Sequence, residues 1–167
     1  MKLRRVAMHF VIWLALAVVA VLLAARFGAF AGRMPDNLGV RDGKLKPPSR
    51  TPNSVSSQAD LWPDAPQRDY ARIAPLPLSG DAKATIARIA ALVEDLPGAR
   101  IVERREDYLY VQFTTALMRY VDDVEFWVDP AAGVVQVRSA SRLGSKDFGV
   151  NRARVELIRA RLAAAGA

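Results

Sequence analysis

Val6 to Ala25 reads VAMHFVIWLALAVVAVLLAA, twenty residues with no formal charge at neutral pH. No other stretch constrains the chain as strongly. At 1.5 Å rise per residue, about 20 apolar residues match a hydrocarbon core roughly 30 Å thick. Lys2, Arg4 and Arg5 precede the stretch, while Arg26 and Arg33 follow it. The positive-inside tendency therefore predicts a cytoplasmic N-terminus, with the rest of the chain exported across an inner membrane to its periplasmic side. A cleaved signal peptide is the rival reading. Ala29-Phe30-Ala31 fits a small-residue cleavage site before Gly32, but the apolar core exceeds the usual 7–15 residues and favours an uncleaved anchor. His9 and Trp13 read as interfacial packing.

The formal charge of +7 is concentrated at the front. Residues 1–33 carry five basic and no acidic side chains, and the remainder holds 19 basic against 17 acidic. That remainder is close to neutral, which argues against nucleic acid as a partner. With no cysteine, an exported domain must rely on its core.

Residues 1–30 are thus read as anchor or signal segment. Residues 31–67, with Pro35, Pro47, Pro48, Pro52, Pro63 and Pro66, read as an extended tether, in which Val55, Leu61 and Trp62 offer docking points. Residues 68–167 read as the exported domain. Ala71–Leu78 suits a short edge strand, because its prolines bar a central one. Asp81–Leu96 reads as a helix capped by Ser79 or Asp81, stopped by Pro97-Gly98, and apolar along Ile86, Ile89 and Val93. Four strands are expected from Arg100, Tyr108, Val121 and Val134, with a turn at Asp129–Gly133. A final helix runs from about Asn151 to Ala164, striped by Val155, Ile158 and Leu162 and capped by Asn151 or Asp147. The fold class expected is α+β: an N-terminal transmembrane helix, then a two-layer domain of an antiparallel four-stranded meander with two helices on one face.

Alternation along the strands predicts the faces. Leu109, Val111, Phe113, Val124, Phe126, Val128, Val135 and Val137 share one. Tyr110, Gln112, Thr114, Asp123, Glu125, Trp127, Gln136 and Arg138 share the other, where Trp127 and Tyr110 suggest a shallow groove. Setting Phe126 opposite Val135 and Phe113 opposite Val124 matches both faces. It also sets Asp123 opposite Arg138.

Three stretches carry a resemblance: TPNSVSSQA from Thr51, YVDDVEFWVD from Tyr120, and VRSASRLGSKDFGVNRARVELIR from Val137. In order they contain D-D-x-E, R-S-x-S-R-x-G and D-x-G-x-N-x-x-R. The chain resembles, over roughly Pro47 to Leu162, the domain-of-unknown-function family 1499, a group of uncharacterised exported bacterial and plastid proteins. Members often carry a cysteine on each side of the Pro-Asn step. The resemblance places those positions at Ser49 and Ser54, and so implies no redox role here.

The only histidine, His9, lies in the apolar segment. Ser–His–Asp and Cys–His catalysis, and zinc sites built from His and Cys, are therefore excluded from the domain. No glycine-rich phosphate loop is present. No cofactor and no metal are expected. Asp122, Asp123 and Glu125 could serve acid–base chemistry or a hard cation; the plainer reading pairs Arg138 with Asp123 and Arg142 with Asp122 across strands. Lys146 with Ser145 or Ser141 lacks the helical spacing of a serine–lysine dyad. Arg138, Ser139, Ser141, Arg142 and Lys146 lead into a helix N-terminus, an arrangement that binds phosphate or carboxylate unless Asp147 and Asn151 cap it. Arg152, Arg154, Arg159 and Arg161 read as a solvated helix face.

The expected function is a non-catalytic binding or envelope-interaction module. Its partners would be the membrane, through residues 6–25, and an unidentified envelope ligand or protein. The candidate ligand site is Asp122, Asp123, Glu125, Arg138, Ser139, Ser141, Arg142, Asp147, Asn151 and Arg152. The alternative is a carboxylate-dependent hydrolase acting on an envelope component, which needs two carboxyl groups about 5–10 Å apart in an open groove.

Overall fold

The computed structural model describes residues 2–165. Helix α1 spans Lys2–Arg26, and its Arg4–Arg26 portion is long and apolar enough to cross a membrane. Most of its large apolar side chains from Val6 to Leu23 are exposed, so the rest of the chain does not cover them.

The domain is built on a six-stranded antiparallel sheet rather than the four-stranded meander expected. The meander is there: β3 (Ala99–Arg104), β4 (Tyr108–Thr114), β5 (Val121–Asp129) and β6 (Val134–Ser141) pair in sequence. Two short strands then share the free edge of β6. Strand β1 (Ser54–Ser56) pairs with Arg138–Ala140, and β2 (Leu76–Pro77) pairs with Val134 and Val135. The second falls inside the edge strand expected at Ala71–Leu78. The first comes from the proline-rich segment, where Val55 is buried in the core. A short helix, α2 (Arg68–Ala71), lies between them.

Helices α3 (Ala82–Glu94) and α4 (Val150–Ala165) cover one face of the sheet. Asp81 caps α3, its side chain accepting the Ala84 N–H at 2.7 Å. Ile86, Ile89 and Val93 meet the eight apolar strand residues predicted to share a face, and Val155 and Ile158 join them from α4.

The register differs from expectation by two residues at both hairpins. Phe126 pairs with Val137, not Val135, and Val111, not Phe113, pairs with Val124. The loop between β5 and β6 explains the first slide. The expected register leaves Pro130 and Ala131 as a two-residue turn, whose favoured types need positive φ that proline cannot adopt. The chain instead pairs Asp129 with Val134 and closes a four-residue loop. There Gly133 takes φ +64, and Asp129 Oδ1 accepts the N–H groups of Ala131 and Ala132. A two-residue slide keeps every side chain on its face, so the core is unchanged while cross-strand partners change.

The second face is not an open polar surface. Leu45 packs with Tyr108, Tyr110 and Trp127, flanked by Leu38 and Val40. The groove expected between Trp127 and Tyr110 is therefore filled by the proline-rich segment. Gln58 fastens that cover, accepting from Leu45 N–H at 2.8 Å and donating to the Gly43 carbonyl at 2.9 Å.

Candidate functional site

The sheet divides the ten candidate residues. On β5, Asp122 shares the helix-side face with Val124, while Asp123 and Glu125 point to the covered face. On β6, Ser139 faces the helices and Arg138 faces the cover.

On the helix side the residues form a buried polar hub. Asn151, fully buried at the start of α4, accepts from Ser139 Oγ at 2.5 Å. Its amide donates to the Asn53 carbonyl, to Ser141 Oγ and to Asp147 Oδ2. Asp147 also accepts from the Tyr70 hydroxyl and from the Gly149 and Asn151 N–H groups. Burial pushes the Asp147 carboxyl up, but these donors outweigh it and hold its pKa below the ordinary carboxylate value. The helix N-terminus is thus capped, as one reading of the sequence had it. Asp122 is paired with Arg154 at 2.6 Å, not with Arg142. Arg154 also donates to Ser139 Oγ and Asn151 Oδ1, and its guanidinium lies over the Phe113 ring.

The arginines of α4 are therefore not simply a solvated face. Arg154 is largely enclosed by the hub, Arg152 donates to the Tyr70 and Arg72 carbonyls, and Arg159 to those of Ala74 and Pro75. Of these four, Arg161 is exposed and makes no such bond among the described residues. Arg152 ties α4 to the segment before β2, and among the described residues its side chain bonds to those carbonyls and to none of the other candidates.

On the covered face the expected Arg138–Asp123 pair is replaced by two others. Arg142 binds Asp123 through two hydrogen bonds, 2.9 Å from Nε and 2.7 Å from a terminal nitrogen. Tyr110 donates to the same carboxylate at 2.5 Å. Burial, then the Asp123 bond, pushes the Tyr110 hydroxyl pKa up to about 12, keeping it a donor. Glu125, wholly buried, accepts from Tyr108 at 2.9 Å and from the Gly39 N–H at 2.6 Å through Oε1. Its Oε2 has no hydrogen-bond partner among the described residues and lies 3.9 Å from Arg138. Burial raises the Glu125 pKa and lowers that of Arg138, in each case against the pull of the partner charge.

Arg138 is 3% exposed. Its Nε donates to the Pro47 carbonyl at 3.3 Å; among the described residues its terminal nitrogens have no acceptor in hydrogen-bonding distance. It lines a cleft of about 430 Å³ with Arg33, Lys46, Arg50, Arg142 and Asp123. Asp123 is the only carboxylate in that lining, and it is engaged by Arg142 and Tyr110. Among the described residues, Arg33, Lys46 and Arg50 have no carboxylate within 4 Å. Burial, and next the Arg138 charge, lowers the Lys46 pKa.

Ser141, at the end of β6, bridges the two sides: it lines the cleft and accepts from Asn151. Lys146 makes no hydrogen bond to Ser141 or Ser145 among the described residues. Ser49 and Ser54, the positions that the resemblance matches to cysteines, are neighbours, the Ser49 N–H donating to Ser54 Oγ at 2.8 Å.

Sequence reasoning missed Arg33, Lys46, Arg50 and Asn53 because they lie in the proline-rich segment. It also passed over Arg154, although this is the last position of D-x-G-x-N-x-x-R.

The family model described as Protein of unknown function (DUF1499) matches residues 44–162. That span takes in β1 and the cleft residues Lys46 to Asn53 as well as the meander and most of α4. No curated protein and no solved structure matches the chain.

Proposed function

The chain belongs to the DUF1499 family of proteins of unknown function, and from that premise we propose that it is a membrane-anchored binding module of the cell envelope whose cleft takes an anionic group. The anchor is α1, with the N-terminus cytoplasmic and the domain periplasmic; the excess of Lys2, Arg4 and Arg5 before the span supports that orientation. One observation carries the ligand class. Arg138 is buried with no hydrogen bond from either terminal nitrogen among the described residues, only the 3.9 Å ion pair to Glu125, beside a cleft whose other cations outnumber its single, already engaged carboxylate. Burying a guanidinium with so few acceptors is costly, and a phosphate or carboxylate accepting from it would offset that cost. Asp123 and Arg142 shape the wall, and Glu125 holds Arg138 from behind. The helix-side hub of Asp122, Ser139, Asp147 and Asn151 positions the wall rather than touching ligand. Arg152 belongs to neither.

The hydrolase reading is less well supported. Glu125 is wholly buried, and Asp123 is already bound by Arg142 and Tyr110.

The test is calorimetric titration of the full chain in detergent with inorganic phosphate and with glycerol phosphate. Saturable binding that weakens with added salt is expected. Lys46→Ala combined with Arg50→Ala should weaken it about tenfold or more, near 1.4 kcal/mol, with no change in urea midpoint. No saturable binding, or binding indifferent to that double substitution, would overturn the proposal.

A further inference from the structure

Outside α1, ten large apolar side chains are exposed among the described residues, and they are not scattered evenly. Six of them, Leu117, Tyr120, Leu143, Phe148, Val150 and Leu157, lie at one end of the sheet. They come from the β4–β5 loop, the β6–α4 connection and the first turns of α4. Tyr120, Leu143, Phe148 and Val150 border one open concavity of about 590 Å³. Val150 and Leu157 border a second of about 340 Å³, and Thr115 lines both. The opposite end of the sheet is different. Its loops present Arg105, Glu106 and Asp107, and Pro130 to Gly133, with no large apolar side chain exposed.

The apolar end is also where α1 joins the domain. Phe30, four residues beyond the last helical residue Arg26, packs on Tyr120 with ring centroids 5.7 Å apart. Four residues reach at most about 14 Å. Two residues later Gly32, at φ +65, passes so close that a Cβ there would come 2.8 Å from Arg142 Cβ and 3.0 Å from Leu143 Cγ. The patch is therefore held within a short, fixed distance of the end of the apolar helix.

Phe148 is the most exposed of these side chains, at 92%, and its φ of +51 is a left-handed conformation rare for a bulky residue. Nothing within the domain repays that strain by packing. Such a local outlier points to a surface made for contact. The charges nearby suit one kind of contact. Arg26, Arg33, Arg119 and Lys146 have no carboxylate within 4 Å among the described residues; Asp122 and Asp147 at this end are already engaged, which leaves Glu94 and Asp95, beside the second concavity, as the exposed acids there.

We infer that this end of the domain lies in the headgroup layer of the leaflet from which α1 emerges. Phe148, Leu143 and Leu117 reach the acyl boundary, and Arg119 and Lys146 meet anionic headgroups. The inference rests on reading α1 as a membrane anchor. It places the cleft at Arg138 close to the lipid surface, because Arg33 lines that cleft seven residues past the helix.

The cysteine-free chain makes the test direct. Single variants Phe148→Cys, Leu117→Cys, Val18→Cys and Lys83→Cys are labelled with a nitroxide in the full chain, reconstituted in vesicles of phosphatidylethanolamine and phosphatidylglycerol. Lys83 is the distant control, since it pairs with Glu106 at the opposite end. Collision rates with oxygen and with a soluble nickel chelate report depth. The oxygen-to-nickel ratio at 148 and 117 should be at least threefold that at 83 and below that at 18. If 148 and 117 match 83 while 18 is lipid-embedded, the inference fails and the anchor stands. If 18 is also aqueous, the anchor reading fails and takes the inference with it. Protection at 148 from both reagents, with spin–spin broadening, would mean a second copy covers the patch, and would also overturn the proposal.

Discussion

Arg154 separates the sequence reading from the tertiary one most sharply. A solvated helix arginine replaced by methionine would change stability by no more than about 0.5 kcal/mol. In the structure its side chain is 11% exposed and Asp122's is 8%, with 2.6 Å between them. Arg154→Met strands the Asp122 carboxylate and removes donors from Ser139 Oγ and Asn151 Oδ1, which lie 3.0 and 2.8 Å away. Those two acceptors keep their bond to each other, so the stranded charge dominates. Removing one partner of a buried pair costs about 3–5 kcal/mol. With a urea slope of about 1.5 kcal/mol per molar, a loss near 4 kcal/mol lowers the midpoint by roughly 2.5 M. Urea titration of the full chain in detergent, followed by fluorescence of Trp62 and Trp127, measures it. Adding Asp122→Leu should recover most of the loss, because an apolar pair of similar volume no longer buries a lone charge. A midpoint shift below about 0.3 M for Arg154→Met would refute the buried-pair account, and so would a double variant as unstable as the single one.

Two further predictions concern pH. Asp147 has a depressed pKa in the folded chain, so its contribution is complete above the ordinary carboxylate value and is lost as pH falls through the lower folded one. Asp147→Ala should cost about 1–2 kcal/mol at pH 7 as a lost helix cap, and its urea midpoint should fall less steeply than the parent's below about pH 4. Glu125 has the opposite sign. Burial raises its folded pKa above 4.5, so stability declines as pH rises through that value. Glu125→Gln removes the titration, and its midpoint relative to the parent should rise as pH increases above about 4.5; parallel curves would contradict this.

Much of the architecture was legible in one dimension. Alternation of period two assigned all eight apolar strand residues to the face that packs on the helices, and Ile86, Ile89, Val93, Val155 and Ile158 marked the helical stripes. The apolar run of α1 and the capping roles of Asp81 and Asp147 were equally local, because each depends on neighbours within a few residues. Cross-strand partners were not. A slide of two residues leaves every face intact, so hydrophobic patterning cannot detect it, yet it moves Arg138 from Asp123 to Glu125 and releases Asp123 to Arg142. The cover over the second face was hidden for another reason: Leu38, Val40 and Leu45 sit among prolines and polar residues without any period. The candidate site inherits both uncertainties, since one wall is set by strand register and the other by that aperiodic segment. Short-range periodicity thus determined which strand and helix residues pack between the sheet and the helices. Loop closure at Pro130–Gly133 and long-range packing decided which charges meet, because pairing energies depend on distances that no local pattern encodes.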